Sequence, residues 1–171
     1  MREPIDANKD AYATVGELVL MANAIDYQLN DVVSTVLNLG NAIMITPVVA
    51  TLDASRKIEM LKARAEHIEQ LDWEKGLKKY LQTAEKVFNA RNTACHSVPI
   101  LENGRWTLKA ASAAKLFKNI NVKAKTLQTV PVEQLRDAIA TGEIALGAGR
   151  NLIENFRHLN AEMARHIGSK S

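Results

Sequence analysis

The chain has one cysteine, Cys95, among 171 residues. No disulfide can close within it, so the fold must come from packing. A chain this long buries well over half of the surface it exposes when unfolded, and it needs neither metal nor disulfide to fold. Aromatic residues make up only 5%, while alanine and leucine are abundant, a balance that favours helix over sheet. No stretch approaches the ~18 apolar residues of a membrane span. Met1 to Asp10 is charged and lacks an apolar core, unlike a secretory signal. The expectation is a cytoplasmic protein with no membrane partner. There is no glycine-rich phosphate loop and no cluster with metal-ligand spacing, so no cofactor and no metal site is expected.

Acidic residues are missing from one long stretch. Between Asn103 and Val132 there is none, against six basic residues: Arg105, Lys109, Lys115, Lys118, Lys123 and Lys125. The net charge of +3 is therefore local, because the rest of the chain carries 16 basic and 19 acidic residues. Local positive charge attracts phosphates through steering and counterion release. A solvated hairpin face without a partner has the same composition.

What is present is helical periodicity. Val15, Leu18, Ala22, Ile25, Leu29, Val32 and Val36 step by three and four, which predicts a helix over 10–38 stopped by Gly40. Asp26 sits beside that seam. Thr46-Pro47 reads as the start of a short helix. Asp53 or Ser55 caps the next helix, whose seam is Ile58, Leu61, Ala65 and Ile68, with Lys57 flanking it and an end near Leu71. Asp72 caps a third long pattern through Leu77, Leu81, Ala84 and Phe88, continuing to Arg91 and Cys95. Cys95 reads there as a small buried hydrophobe. Asn103-Gly104 between two apolar runs is a hairpin signal, and Val122–Val130 is a candidate third strand. Pro131 opens the last helix, expected to run to Ile167. Gly142 and Gly149 lie on its apolar seam and imply either a close approach by another backbone or a break near Thr141-Gly142. Glu154 with His158, and Glu162 with His166, have the i,i+4 spacing of surface pairs.

The expected fold is all-α: one domain over 1–171, a four-to-five-helix bundle with a small β-hairpin insertion at 98–130 before the last long helix. An arginine on a core-facing seam breaks the pattern, because burying an unpaired charge is costly, and such breaks concentrate at functional sites. Arg91, Asn92 and His96 form an Arg-Asn-x-x-x-His run at a helix end. Asn92 and His96 share a face, and Arg91 lies about 140° around from His96. Histidine takes a proton from a ribose 2′-hydroxyl near neutral pH. Arginine holds phosphate with a planar fork and stabilises the charge that builds up on it. Asparagine orients the histidine or contacts phosphate. Trp106 and Phe117 in the basic tract either stack on bases or anchor the hairpin.

Arg91-Asn92-Thr93-Ala94-Cys95-His96 resembles the signature of the HEPN (higher eukaryotes and prokaryotes nucleotide-binding) superfamily. Gly16, the Ile25-Asp26 pair and the Lys57-Ile58-x-x-Leu61 run are similar to features upstream of the motif in relatives. The resemblance covers roughly 12–108 and the final helix, and the basic insertion is less typical. It implies a helical homodimer with two motifs forming one composite site. It also implies a metal-independent endoribonuclease of toxin–antitoxin or phage-defence type, with an antitoxin as a possible partner. Arg91, Asn92 and His96 are then catalytic, with Asp26 and Lys57 as candidates to support them, and the charge of the basic tract makes Arg105, Lys109, Lys118, Lys123 and Lys125 the candidates to bind RNA. Some relatives have the fold without activity, and the alternative is a non-catalytic dimer that binds a nucleotide or a protein. The residues alone also admit a structural role, with Arg91 paired to Asp26 and His96 capping its helix.

Overall fold

A computed structural model describes residues 7–40, 44–111, 120–121, 126–127 and 129–168. The chain is predominantly helical. The helices are α1 (Ala7–Val36), α2 (Ile45–Ala50), α3 (Ala54–Ala65), α4 (Leu71–Cys95) and α5 (Glu133–Gly168). The strands are β1 (Ser97–Glu102), β2 (Arg105–Ala110), β3 (Ile120–Asn121), β4 (Thr126–Leu127) and β5 (Val130–Pro131). Two compact units form, Met1–Ala22 with Glu85–Gly142, and Asn23–Ala84 with Glu143–Ser171. Each of the three long helices contributes to both.

The helix ends follow local chemistry. In α1, six of the seven seam residues are buried and Val15 is half-buried. The helix ends at Val36, and the residue that turns the chain out of it is Asn38, two before the expected Gly40. Asn38 takes a left-handed conformation, φ 50°. The Leu39 N–H reaches back to the Ser34 carbonyl and the Asn38 N–H to Thr35, the Schellman pattern that satisfies orphaned carbonyls. The Asp53 side chain caps α3 by accepting from the Arg56 N–H at 2.8 Å. The Ser55 hydroxyl, and then that N–H, hold the Asp53 carboxyl below its ordinary range. α3 ends at Ala65 rather than near Leu71, and Asp72 lies inside the first turn of α4 instead of capping it. Thr46 is likewise not a cap, because α2 starts after Met44 with no side-chain cap.

The unit that holds the sheet is built on the hairpin. Asn103 and Gly104 have φ of 52° and 73°, and Glu102 pairs with Arg105 across them, as a two-residue turn of the primed type requires. β2 is central, with β1 and β5 antiparallel on either side. Leu108 and Ala110 face inward with half-buried Trp106, and Arg105 and Lys109 face outward. Two expectations fail here. The third strand comes from Val130–Pro131, while Ile120–Asn121 and Thr126–Leu127 pair separately with each other. Pro131 therefore belongs to a sheet edge, where its missing N–H is tolerated, and α5 opens two residues later. Leu18, Val87, Phe88, Leu135 and Ile139 supply the helical core of this unit. An ion pair links Arg136 to Asp10 at 2.5 Å.

The second unit is all helical among its described residues. Ile25, Leu29, Val32, Leu61, Leu77, Leu81, Leu152 and Phe156 are buried in it. α5 runs unbroken through Gly142, so the glycines on its seam mark no break. At Gly149 the neighbour is a side chain rather than a backbone. A Cβ there would lie 2.1 Å from Gln28 Oε1. Gln28 Nε2 donates to the Leu146 carbonyl at 2.9 Å, and Tyr80 Oη donates to Gln28 Oε1 at 3.4 Å. One amide thus ties α1 to α4 and α5. Burial pushes the Tyr80 hydroxyl well above the ordinary tyrosine pKa. Further along α5, His158 pairs with Glu162 at 3.3 Å, not with Glu154.

Gly149→Ala should destabilise the protein, because the methyl expels the Gln28 amide and strands the Tyr80 hydroxyl. In a Gln28→Ala background the same change should stabilise it by up to about 1 kcal/mol, the helix propensity of alanine over glycine. Urea unfolding of the four chains of this cycle checks the sign reversal. The same sign in both backgrounds would rule out the contact as the reason for the glycine.

Candidate functional site

The Arg-Asn-x-x-x-His run occupies the last turn of α4. The helix ends at Cys95 and His96 stands just beyond it. Leu77, Tyr80, Leu81, Ala84, Val87, Phe88 and Ala94 are buried along α4. The apolar seam therefore closes on Ala94, not on Cys95, which is exposed. This corrects the sequence reading, and the reason is a rotation of one residue, about 100°. Asn92, Cys95 and His96 are exposed, and Arg91 is half-buried.

Backbone and hydroxyl groups finish the helix without the His96 ring. The His96 N–H and the Ser97 hydroxyl both donate to the Thr93 carbonyl, at 3.3 and 2.6 Å. The Thr93 hydroxyl donates to Asn89, and the His96 carbonyl accepts from the Ala111 N–H at 2.9 Å. His96 is thus pinned at its backbone between α4 and the residue that follows β2. Among the described residues nothing bonds its ring. The capping role that the sequence offered for this histidine is filled by Ser97. Asn92 does have an interaction of its own.

Arg91 Nε is buried and has no hydrogen-bond partner, and Trp106 Nε1 and Thr107 Oγ1 in the same compact unit are in the same condition. Buried polar atoms are nearly always satisfied, and each exception calls for a reason such as a ligand or a water. Of the basic residues assigned to RNA, Arg105 and Lys109 are exposed on β2. Lys109 stands opposite Val98, and Arg105 opposite Glu102, which offsets part of its charge. Lys115, Lys118, Lys123 and Lys125, with Phe117, lie outside the described residues.

Asp26 and Lys57 belong to the other compact unit. Lys57 is 1% exposed, a correction to its placement on the flank of the α3 seam. Its ammonium donates to Asp26 Oδ1 at 2.7 Å, while the Asp26 side chain is 41% exposed. Asp26, for which the sequence offered Arg91, is thus the partner of the lysine. Spacing held this signal, because Lys57 precedes Leu61 by four and so shares its face. Gln28 is a key residue without any signature in the sequence.

Among the described residues no group of three or more His, Cys, Asp or Glu is placed to hold a metal ion. No helix among them is long and apolar enough to cross a membrane. No known protein family, characterised protein or solved structure matches the chain.

The asymmetry of the Lys57–Asp26 pair predicts unequal substitutions. Asp26→Ala leaves a buried ammonium without a counter-charge and should cost roughly 2–3 kcal/mol, at or below the lower end for buried pairs because Asp26 is partly solvated. Lys57→Met removes the charge itself and should cost less than about 1 kcal/mol. Chemical denaturation measures both, and a lysine substitution costlier than the aspartate one would contradict the assignment.

Proposed function

We propose that the protein binds RNA and cleaves it without a metal, through Arg91, Asn92 and His96, in the manner that the HEPN resemblance implies. The observation that carries this reading is the pairing of an exposed, ring-unbonded His96 with a half-buried Arg91 whose Nε lacks a partner. A general base needs solvent and substrate access, and His96 has the first by its exposure. A phosphate-binding arginine needs donors not held by the protein, and Arg91 Nε, though buried, has no protein partner among the described residues. Arg105 and Lys109 on the same unit supply positive charge for backbone phosphates.

Histidine accepts the 2′-hydroxyl proton. The freed oxygen attacks the adjacent phosphorus, the P–O5′ bond breaks, and the departing 5′-oxygen takes a proton from solvent water, while the protonated histidine later returns its own proton to solvent. Arg91 stabilises the negative charge that builds up on the phosphoryl oxygens. Asn92 shares the His96 face of the turn, where it orients substrate or ring. A homodimer that brings two such turns together completes the proposal, and a toxin or phage-defence role, with an antitoxin as partner, is its biological form.

His96→Ala should lower the rate of RNA cleavage on the order of 10²–10⁴, the range for a general base. Arg91→Lys should lower it too, because an ammonium lacks the planar fork. Wild-type cleavage should persist in excess chelator. Equal residual cleavage by wild type and His96→Ala would leave a binding protein with the same fold as the better reading.

A further inference from the structure

The compact unit that lacks the sheet contains a cavity of about 480 Å³ beside the turn joining α3 to α4. Its apolar wall comes from Ile68, Trp73, Phe156, Leu159 and Met163. Trp73 and Phe156 meet edge to face, with ring centroids 5.0 Å apart and planes at 63°. Phe156 is buried, but Ile68, Trp73 and Leu159 are only half-buried and Met163 is exposed. Core packing has left these side chains partly wet, on a concave surface. The volume falls within the range of small-molecule sites, about 300–1,000 Å³, which are lined mainly by apolar and aromatic groups with a few polar ones. An aromatic corner accepts another ring edge-on or offset, and the Met163 thioether adapts to its outline.

The rim supplies the charge. Arg64 Nη1 donates to the His67 carbonyl at 2.9 Å, the one side-chain hydrogen bond that its guanidinium makes among the described residues. That contact ties the guanidinium to the α3–α4 turn and leaves most of its five donors unspent. A planar fork matches a carboxylate in bidentate fashion. Glu69 lines the same cavity and repels a dianion more strongly than a monoanion.

We infer that this cavity binds a planar aromatic ligand carrying a single carboxylate, with the ring against Trp73 and Phe156 and the carboxylate on Arg64. The site is independent of the RNA reading, whose catalytic residues lie in the other compact unit.

The chain has two tryptophans, so Trp106→Phe leaves Trp73 as the sole emitter, inside the cavity wall. Titration with 2-naphthoate should change its emission saturably. The neutral 2-naphthamide should bind at least tenfold more weakly. Arg64→Gln should weaken naphthoate about tenfold and leave naphthamide and the melting temperature unchanged. Calorimetry on the unaltered chain and on Arg64→Gln gives the same comparison if Trp106→Phe does not fold. No saturation by naphthoate up to about 10 mM, weaker than any useful site, would overturn the inference. Equal affinity for acid and amide, or no effect of Arg64→Gln, would also overturn it, leaving an apolar groove without anion recognition.

Discussion

A buried ammonium has to be answered by a negative charge, and in this chain Lys57 sets that requirement. It is the one fully buried charged side chain among the described residues, and Asp26 answers it from α1 at 2.7 Å. The demand fixes which turn of α1 lies against α3, because a helix shifted by one turn would remove the carboxylate and leave the cost of an unpaired charge. Two residues along α1, Gln28 imposes a second condition of the same kind. Its amide is shared between the Leu146 carbonyl and the Tyr80 hydroxyl, and Gly149 leaves the space for it. Apolar seams tolerate sliding, since one buried leucine resembles another. The polar contacts at Asp26 and Gln28 do not, so they select the register in which the seams of this unit close.

The other unit pairs some of its buried polar groups, as the Thr14 hydroxyl does with the Asp10 carbonyl, and leaves others unmatched. Arg91, Trp106 and Thr107 each bury an atom without a partner, and His96 stands on the surface with its backbone bonded on both sides. Among the described residues Asn30 Oδ1 in the helical unit is unmatched as well, so three of the four such atoms lie in the unit with the sheet. The ribonuclease proposal rests on the end of α4, where one such atom, Arg91 Nε, shares a helical turn with the exposed His96, and the Lys57–Asp26 pair has a packing role of its own.

The long seams were legible in the sequence because one helical period governs fifteen or more residues at a time. The hairpin was legible because Asn-Gly is close to a unique solution for two successive positive-φ residues. The Asp53 cap was legible as one of two candidates. What failed was local. A shift of one residue decides whether Ala94 or Cys95 closes the α4 seam, and periodicity does not resolve one residue at a helix end. Pro131 satisfies both a helix start and a sheet edge, and pairing with β2, set by distant residues, chose the edge. Lys57 was placed on a flank because lysine is usually solvated, although its spacing to Leu61 pointed inward. Gln28 has no signature at all, since its role depends on a glycine 121 positions away in the chain. Of the proposed site, the α4 turn was singled out in the sequence by its arginine on an apolar seam. The sequence did not anticipate that Ser97 would do the capping and leave the His96 ring unbonded.

The central claim is chemical, that the α4 turn cuts RNA by attack of the 2′-hydroxyl. The most direct measurement is the identity of the new ends on a defined RNA oligonucleotide, read by mass spectrometry. Transesterification leaves a 2′,3′-cyclic phosphate on one fragment and a 5′-hydroxyl on the other, and a single 2′-deoxy substitution at the cut position abolishes cleavage there. Fragments ending in 3′-hydroxyl and 5′-phosphate, or undiminished cutting at a 2′-deoxy position, would contradict it.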